Sequence, residues 1–269
     1  MLSILLLALA CTDDGTVDDT TITDDTAVDD TGEESNECEP KDEVVTVQGL
    51  YGMVSDNTGA AIECMRVQFC TNVCINADSN GDGEYSVVPQ DNGAGAYTVQ
   101  PLTDTYADFF TAGVPLNYTG ERQVDVKLQP IGERFPMPAT AEALQLSEEI
   151  KLTIGEDNYE KNFSADNTFA AAVKVPEADW FPVEGLGGLE DKVLAMHFLA
   201  PYHGHSDGMP IEVFYPNAID GYTLYEYTYD DANLVYEWSR IETTVDGNFL
   251  KGELRYLTTL LVVDETTEK

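Results

Sequence analysis

Basic residues are scarce in this sequence of 269 residues, where 13 Lys and Arg stand against 50 Asp and Glu and the formal net charge is −37. Such a surface repels phosphate backbones and anionic lipid headgroups, which argues against a nucleic-acid partner. Long apolar runs are also missing: after a short apolar run at the N-terminus, no stretch approaches the roughly 18 apolar residues that a membrane-spanning helix needs. The sequence therefore predicts a mature chain without a transmembrane helix.

The motifs of common catalytic chemistries are missing as well. The sequence has no HExxH zinc-peptidase motif, no Gly-x-Ser-x-Gly nucleophile turn and no CxxC pair. Ser206 follows His205 but lacks a strand-to-helix context, and the carboxylates are too numerous to single out a glycosidase pair. We therefore expect no enzymatic activity and no catalytic residue.

The first 11 residues are predicted to be a signal peptide. The apolar run Leu2–Ala10 is too short to span a bilayer, has the length of an export signal and ends in small residues. Ala8-Leu9-Ala10-Cys11 resembles the cleavage box of a bacterial lipoprotein signal, although no Lys or Arg precedes Cys11. The resemblance implies that Cys11 becomes a multiply acylated N-terminus at the outer membrane or cell surface. The alternative is an ordinary signal peptide in which Cys11 has no role.

Residues 12–42 are predicted to be a disordered acidic linker. Between Asp13 and Glu39 the segment contains 12 carboxylates and no basic residue, with Asp-Asp pairs every five or six residues. Charge repulsion and low hydrophobicity keep such a segment extended. A solvated spacer is the expected role, and binding to a partner is the alternative.

The remaining cysteines indicate disulfides. If Cys11 is lipidated, an even number is left in an exported chain, which predicts two disulfides with three possible connectivities. These residues are Cys38, Cys64, Cys70 and Cys74. Zinc is the alternative partner of four thiols, but the sequence lacks a CxxC pair and the compartment would be oxidising.

From Val44 onward the pattern changes to short alternating runs separated by turn residues, which predicts an all-β fold with two β-sandwich domains. In the first domain, residues 43–130, the predicted strands are Val44–Tyr51, Met65–Phe69, Glu84–Val88, Ala96–Gln100 and Gln123–Leu128. The segments Gln48–Ile62, Asp82–Val87 and Gly95–Val99 resemble the opening strand and turn, the polar turn into an aromatic strand, and the Gly-x-Tyr-x-Val strand of carboxypeptidase regulatory-like domains. The resemblance implies a seven-stranded, transthyretin-like sandwich without catalytic residues.

A Pro-containing joint leads to the second predicted β-sandwich, residues 138–265. Its predicted strands are Ile150–Ile154, Ala170–Val175, Val193–Leu199, Ile211–Tyr215, Tyr222–Tyr229, Leu234–Ile241 and Phe249–Val263. Residues 193–250 are similar to a module of large bacterial cell-surface proteins, with a Pro-led strand ending in Pro216-Asn217 and a Gly-led aromatic strand from Gly221. Related modules sit beside autoproteolytic sites with a His before Ser or Thr. The corresponding segment Arg255–Thr259 lacks that His, so we expect no self-cleavage.

One turn resembles half of a calcium-binding loop. Asp78, Asn80 and Asp82 place oxygen atoms at positions 1, 3 and 5 of an EF-hand loop, and Gly83 follows. Position 12, which normally carries a bidentate Glu, is Pro89. We name Asp78, Asn80 and Asp82 as candidate calcium ligands, and a tight hairpin turn is the competing and preferred interpretation.

Two further groups of residues have competing interpretations. The histidines His197, His203 and His205 fall within nine residues. A His-x-His pair can hold zinc, but we expect an exposed loop there and place His197 on a strand among apolar neighbours. Period-two spacing puts Tyr225, Tyr227 and Tyr229 on one face of a strand and Leu224, Glu226 and Thr228 on the other. Sandwich core is favoured over a sugar-stacking platform.

The sequence predicts a non-catalytic, lipid-anchored cell-surface protein that presents two β-sandwich modules for structural or adhesive roles. Its expected partners are a membrane, through Cys11, and a surface protein or a glycan. No cofactor other than calcium is expected. The first alternative is a carbohydrate- or calcium-dependent binding module, and the second is an autoproteolytic or hydrolytic surface enzyme.

Overall fold

The computed structural model describes residues 48–71, 73–101, 108–160, 169–200, 205–230 and 235–266. Within these ranges the fold is all-β, as the sequence predicts, with 19 strands and two short 3-10 helices at Glu177–Asp179 and Glu190–Lys192. Neither helix is long and apolar enough to cross a membrane. The predicted signal peptide, the linker, Cys11 and Cys38 lie outside the described residues.

The first eight strands form two facing sheets. They are β1 (Leu50–Asp56), β2 (Met65–Cys70), β3 (Cys74–Asp78), β4 (Glu84–Val87), β5 (Gly93–Pro101), β6 (Ala112–Tyr118), β7 (Arg122–Gln123) and β8 (Val126–Leu128). One sheet has the order β4-β1-β7, with β8 also paired to β1, and the other has the order β3-β2-β5-β6. The buried Tyr85 hydroxyl on β4 lies 2.6 Å from that of Tyr97 on β5, so the two sheets pack as a sandwich.

The remaining strands form two larger sheets. They are β9 (Phe135–Pro136), β10 (Glu142–Gln145), β11 (Ile150–Ile154), β12 (Phe169–Val175), β13 (Val193–Ala200), β14 (His205–Phe214), β15 (Tyr222–Asp230), β16 (Val235–Ile241), β17 (Thr244–Asp246), β18 (Phe249–Tyr256) and β19 (Thr259–Asp264). The five-stranded sheet has the order β10-β11-β14-β18-β17, and the six-stranded sheet has the order β16-β15-β19-β13-β12-β9. The predicted single strand Phe249–Val263 is wrong: it divides into β18 and β19.

These two larger sheets enclose one apolar core. Alternate side chains of β11, β14 and β18 face alternate side chains of β13, β15 and β19. Among its fully or almost fully buried members are Ile150, Leu152, Ile211, Val213, Leu250, Leu254, Ala195, Leu199, Leu224, Leu260 and Val262. Burying such side chains stabilises the fold by about 1.5–3 kcal/mol each. The alternating apolar residues of Ile150–Ile154 are therefore stabilised by forming a strand with one buried face, as predicted.

The opposite face of the six-stranded sheet belongs to the core of the first sandwich. Its residues Met196, Phe198, Tyr225, Tyr227, Trp238, Leu261 and Val263 join one continuous cluster with Val67, Tyr97, Val114 and Leu116. Strand β6 contacts this sheet: the Thr259 hydroxyl donates a 2.6 Å hydrogen bond to the carbonyl oxygen of Gly113. The two regions that the sequence predicts as separate sandwiches therefore share apolar contacts.

Polar contacts around Glu184 reinforce this junction. The indole N–H of Trp238 donates to the Glu184 carbonyl at 2.8 Å, and the Glu184 carboxylate accepts the Asn117 amide at 2.8 Å. The same carboxylate pairs with Arg122. Although partial burial acts in the opposite direction, the hydrogen bonds from Arg122 and Asn117 lower the pKa of Glu184. Glu184, in the loop before β13, thus binds the backbone of β6, the Arg122 side chain of β7 and the Trp238 side chain of β16.

The cysteines in the described residues are oxidised. Cys70 and Cys74 form a disulfide that joins directly opposite residues of β2 and β3. Cys64 is also disulfide-bonded, to a partner outside the described residues. The sequence predicts disulfides here but leaves their connectivity open, and the Cys70–Cys74 bond excludes the connectivities that join either residue to Cys38 or Cys64.

Candidate functional site

The turn with the candidate calcium ligands is a tight connection between β3 and β4. The Asn80 side-chain oxygen accepts the amides of Asp82 at 3.0 Å and Glu84 at 2.8 Å, while Asp78 pairs with Arg66 at 3.3 Å. Gly83 has φ +76°, and a Cβ there would lie 2.4 Å from a carbonyl oxygen of β1. These contacts give the turn a structural role, and calcium binding by Asp78, Asn80 and Asp82 stays a prediction. Among the described residues no group of three or more His, Cys, Asp or Glu could hold a metal ion.

Of the three histidines, only the side chain of His197 is described. His203 lies outside the described residues, as does the side chain of His205, whose backbone begins β14 opposite Tyr256. His197 lies on β13, as predicted, and is fully buried.

The surroundings of His197 disfavour its charged form. Neither ring nitrogen has a hydrogen-bond partner in the described part of the chain. Glu149 Oε2 lies 3.8 Å from His197 Nε2, beyond hydrogen-bond distance, and Lys174 Nζ lies 2.8 Å from the other oxygen of Glu149. Burial, assisted by the positive charge of Lys174, lowers the pKa of His197 to about 3. The imidazole is therefore neutral at physiological pH.

The aromatic strand β15 is part of the core, which confirms the favoured interpretation. Tyr227 is fully buried, stacks on Tyr236 with 5.6 Å between ring centroids, and meets Trp238 edge-on at 5.8 Å. Tyr225 is also buried, and the Tyr229 side chain lies outside the described residues. Because both described tyrosines face the core, they form no exposed platform for sugar rings.

A cleft of about 620 Å³ lies between β16 of the six-stranded sheet and β18 of the five-stranded sheet. Gly252 lets the strands approach closely here, since a Cβ at this position would lie 2.5 Å from Ile241 Cγ2. Glu226 on β15 lines the cleft and is only 3% exposed. Its Oε2 accepts the amides of Arg255 at 2.9 Å and Tyr256 at 3.1 Å.

Two charged groups give this cleft its chemistry. Burial raises the pKa of Glu226 to about 7, against the opposing effects of the Tyr256 and Arg255 amides and of the Arg255 charge. Arg255 makes no ion pair with the described residues, whereas the lining cations Arg240 and Lys251 pair with Glu265 and Asp246. A buried carboxyl with a raised pKa in a cleft marks a candidate functional site.

The period-two pattern of β15 places Glu226 on the correct face of its strand, but no motif in the sequence marks it as a site residue. The signal in the sequence is a single carboxylate on the same face of the strand as Leu224. An acidic residue on a core-facing row is rarely buried without a partner, so its position there suggests a special role. No comparable signal marks Arg255, because its lack of an ion pair with the described residues depends on tertiary geometry.

The described residues form an all-β protein of packed sheets with a polar cleft at the edge of the second sandwich. Comparison of the sequence with protein-family models and with curated proteins finds no match.

Proposed function

We propose that the protein is a non-catalytic, lipid-anchored cell-surface protein that presents its β-sandwiches for binding or structural roles. The observation that carries this proposal is the oxidised state of the cysteines: Cys70 bonds to Cys74 and Cys64 is also disulfide-bonded. Disulfides form and persist in oxidising environments outside the cytosol. Export of the chain accounts for both bonds.

The cysteine pairing is compatible with a lipidated Cys11. With Cys70 and Cys74 bonded to each other, Cys11 and Cys38 are left as partners for Cys64, and the proposal takes Cys38 because the lipoprotein-like signal reserves Cys11 for the anchor. Cys11 is then the single cysteine of the five that remains unpaired, and a lipid anchor requires a free thiol. An acidic linker at 12–42 would hold the sandwiches away from the membrane, because its repeated carboxylates favour an extended chain.

The packed sheets suit a presentation role. One apolar cluster links the first sandwich to the six-stranded sheet, so the two regions would be presented together as one packed unit. The expected face for ligands is the cleft at Glu226, and the proposal includes a binding role on that ground. Calcium-dependent sugar binding through the tyrosines of β15 is less favoured, because Tyr225 and Tyr227 are buried.

Metabolic labelling with palmitate tests the anchor. In the bacterial host, the wild-type chain should incorporate label and sediment with membranes, and Cys11→Ser should lose the label and become soluble. Cys38→Ser is the matched control, since it removes a thiol assigned to a disulfide and should keep the label. Absence of label on the wild type, or equal label on Cys11→Ser, would overturn the anchor.

A further inference from the structure

We propose that the cleft between β16 and β18 binds a small ligand that carries one carboxylate and several hydroxyl groups, the chemistry of a uronic acid. The inference deepens the binding role proposed above and rests on it. It is independent of the lipid anchor, because the cleft lies entirely within the described residues of the second sandwich.

The size and lining of the cleft suit a sugar-sized polar molecule. Its volume of about 620 Å³ falls within the range of about 300–1,000 Å³ that is usual for small-molecule sites. Ser239 and Thr244 line it with hydroxyl groups, and Pro210 and Ile241 add limited apolar surface. Ser239 lies directly opposite Glu226 across the β15–β16 pair, so a hydroxyl and a carboxyl flank the same position.

Arg255 supplies the anchor for a carboxylate. Its guanidinium makes no ion pair with the described residues, although the protein carries an excess of acidic groups. A guanidinium can bind a carboxylate through two parallel hydrogen bonds, which gives both energy and orientation. Arg255 also acts on the charge of Glu226, which places both groups within electrostatic reach of one bound molecule.

Glu226 supplies a second contact that depends on its protonation. Its Oε2 already accepts two backbone amides, so the proton of the neutral form would sit on Oε1 and donate to the ligand. The charged groups around it are Lys251, Glu253 and Arg255 from β18, Arg240 from β16 and Glu242 from the loop after β16, while β14 contributes Gly208 and Pro210. Deprotonated Glu226 would repel a ligand carboxylate.

The charge balance of the residues that line the cleft favours a ligand with a single negative charge. Two of its three cations, Arg240 and Lys251, already pair with Glu265 and Asp246. Among the lining residues that the structure describes, Arg255 is the cation left to balance an incoming anion, and Glu242 and Glu253 lie nearby. A dianion such as phosphate would carry one uncompensated charge into this acidic surrounding, which costs binding energy.

Isothermal titration calorimetry of the full mature chain with D-glucuronate tests the site, with D-glucose and inorganic phosphate as comparison probes. At about pH 6 we expect saturable binding of glucuronate and at least roughly 10-fold weaker binding of the other two. Arg255→Gln should weaken glucuronate binding by roughly 10- to 100-fold, since it removes a charge-assisted pair. Arg66→Gln, an arginine of the first sandwich, is the matched control and should bind as the wild type does.

The pH dependence separates the role of Glu226 from that of Arg255. Wild-type affinity should fall between about pH 6 and pH 8 as Glu226 loses its proton. Glu226→Gln keeps an amide donor, so it should bind glucuronate equally at both values. The proposal is overturned if wild type shows no saturable binding, if glucose or phosphate binds as tightly, if Arg255→Gln binds normally, or if wild-type affinity ignores pH. Circular dichroism and palmitate labelling of the same variants confirm folding and keep this result distinct from the anchor.

Discussion

Replacing His197 with leucine should remove much of the acid sensitivity of the folded protein. The folded chain holds this imidazole neutral to about pH 3, whereas an unfolded chain protonates it near its ordinary pKa of 6.5. Below pH 6.5 the unfolded state therefore binds a proton that the folded state does not. The stability that the neutral imidazole contributes is present above pH 6.5 and is lost progressively as the pH falls toward 3, by about 4–5 kcal/mol in all.

Urea unfolding at about pH 7.5 and pH 4.5 measures this effect. Between these values the wild type should lose roughly 2–3 kcal/mol more of its unfolding free energy than His197→Leu does. His197→Gln, which is polar but does not titrate in this range, should show the same flattened profile and separates the charge effect from the fit of leucine. Identical pH profiles for the wild type and both variants would contradict the burial of a neutral His197.

Glu226→Gln provides a control of opposite sign. The folded-state pKa of about 7 lies above the ordinary value of 4.5, so the favourable contribution is present below pH 4.5 and is lost as the pH rises through 7. The unfolding free energy of Glu226→Gln, measured relative to that of the wild type, should therefore be higher at pH 7.5 than at pH 4.5, by about 3 kcal/mol at most.

Trp238→Ala should destabilise the protein by about 3–5 kcal/mol, the usual cost of truncating a buried Trp. Trp238 is 7% exposed and packs edge-on against Tyr227, and its N–H donates to the Glu184 carbonyl. Glu184 in turn holds Asn117 and Arg122 of the first sandwich. The alanine variant leaves a cavity and a free carbonyl at the junction between the two regions.

Trp238→Phe distinguishes ring packing from the hydrogen bond. It keeps most of the apolar contact and loses the N–H, so we expect a cost of about 1–2 kcal/mol. The midpoints of urea unfolding give the loss of stability in both Trp238 variants, provided that the slope of the unfolding free energy against urea concentration is unchanged. A loss below about 1 kcal/mol in Trp238→Ala would mean that this junction does not form in solution.

Several strands that alternate between core and solvent could be predicted from the sequence, although β3, which also alternates, is absent from the predicted strands. The predicted strand Ile150–Ile154 agrees with β11 at both ends, and Tyr225 and Tyr227 occupy the predicted face. Strand β6 could not be predicted in this way. It is buried almost throughout and contains Gly113 and Pro115, so it has neither alternation nor β-branched enrichment. The turn between β18 and β19 was missed because Leu257 and Thr258 are not turn-forming residues.

The junction and the cleft depend on pairings between distant segments. Period-two spacing identifies the two faces of β15 but does not tell that both faces are covered by sheets. Glu226 meets Arg255 only because the end of β18 passes the middle of β15, and no local sequence pattern predicts this proximity. The Cys70–Cys74 bond is local by contrast: the sequence leaves three connectivities open, and the register of the β2–β3 hairpin selects this pair.

The joining of both sandwiches through one apolar core can be measured directly by differential scanning calorimetry of the full chain. A shared core predicts one cooperative transition in which the calorimetric and van't Hoff enthalpies agree, and a Trp238→Ala variant in which the whole transition moves to lower temperature. Two resolved transitions in the wild type, with the variant shifting only one of them, would contradict a joined body and leave two independent sandwiches.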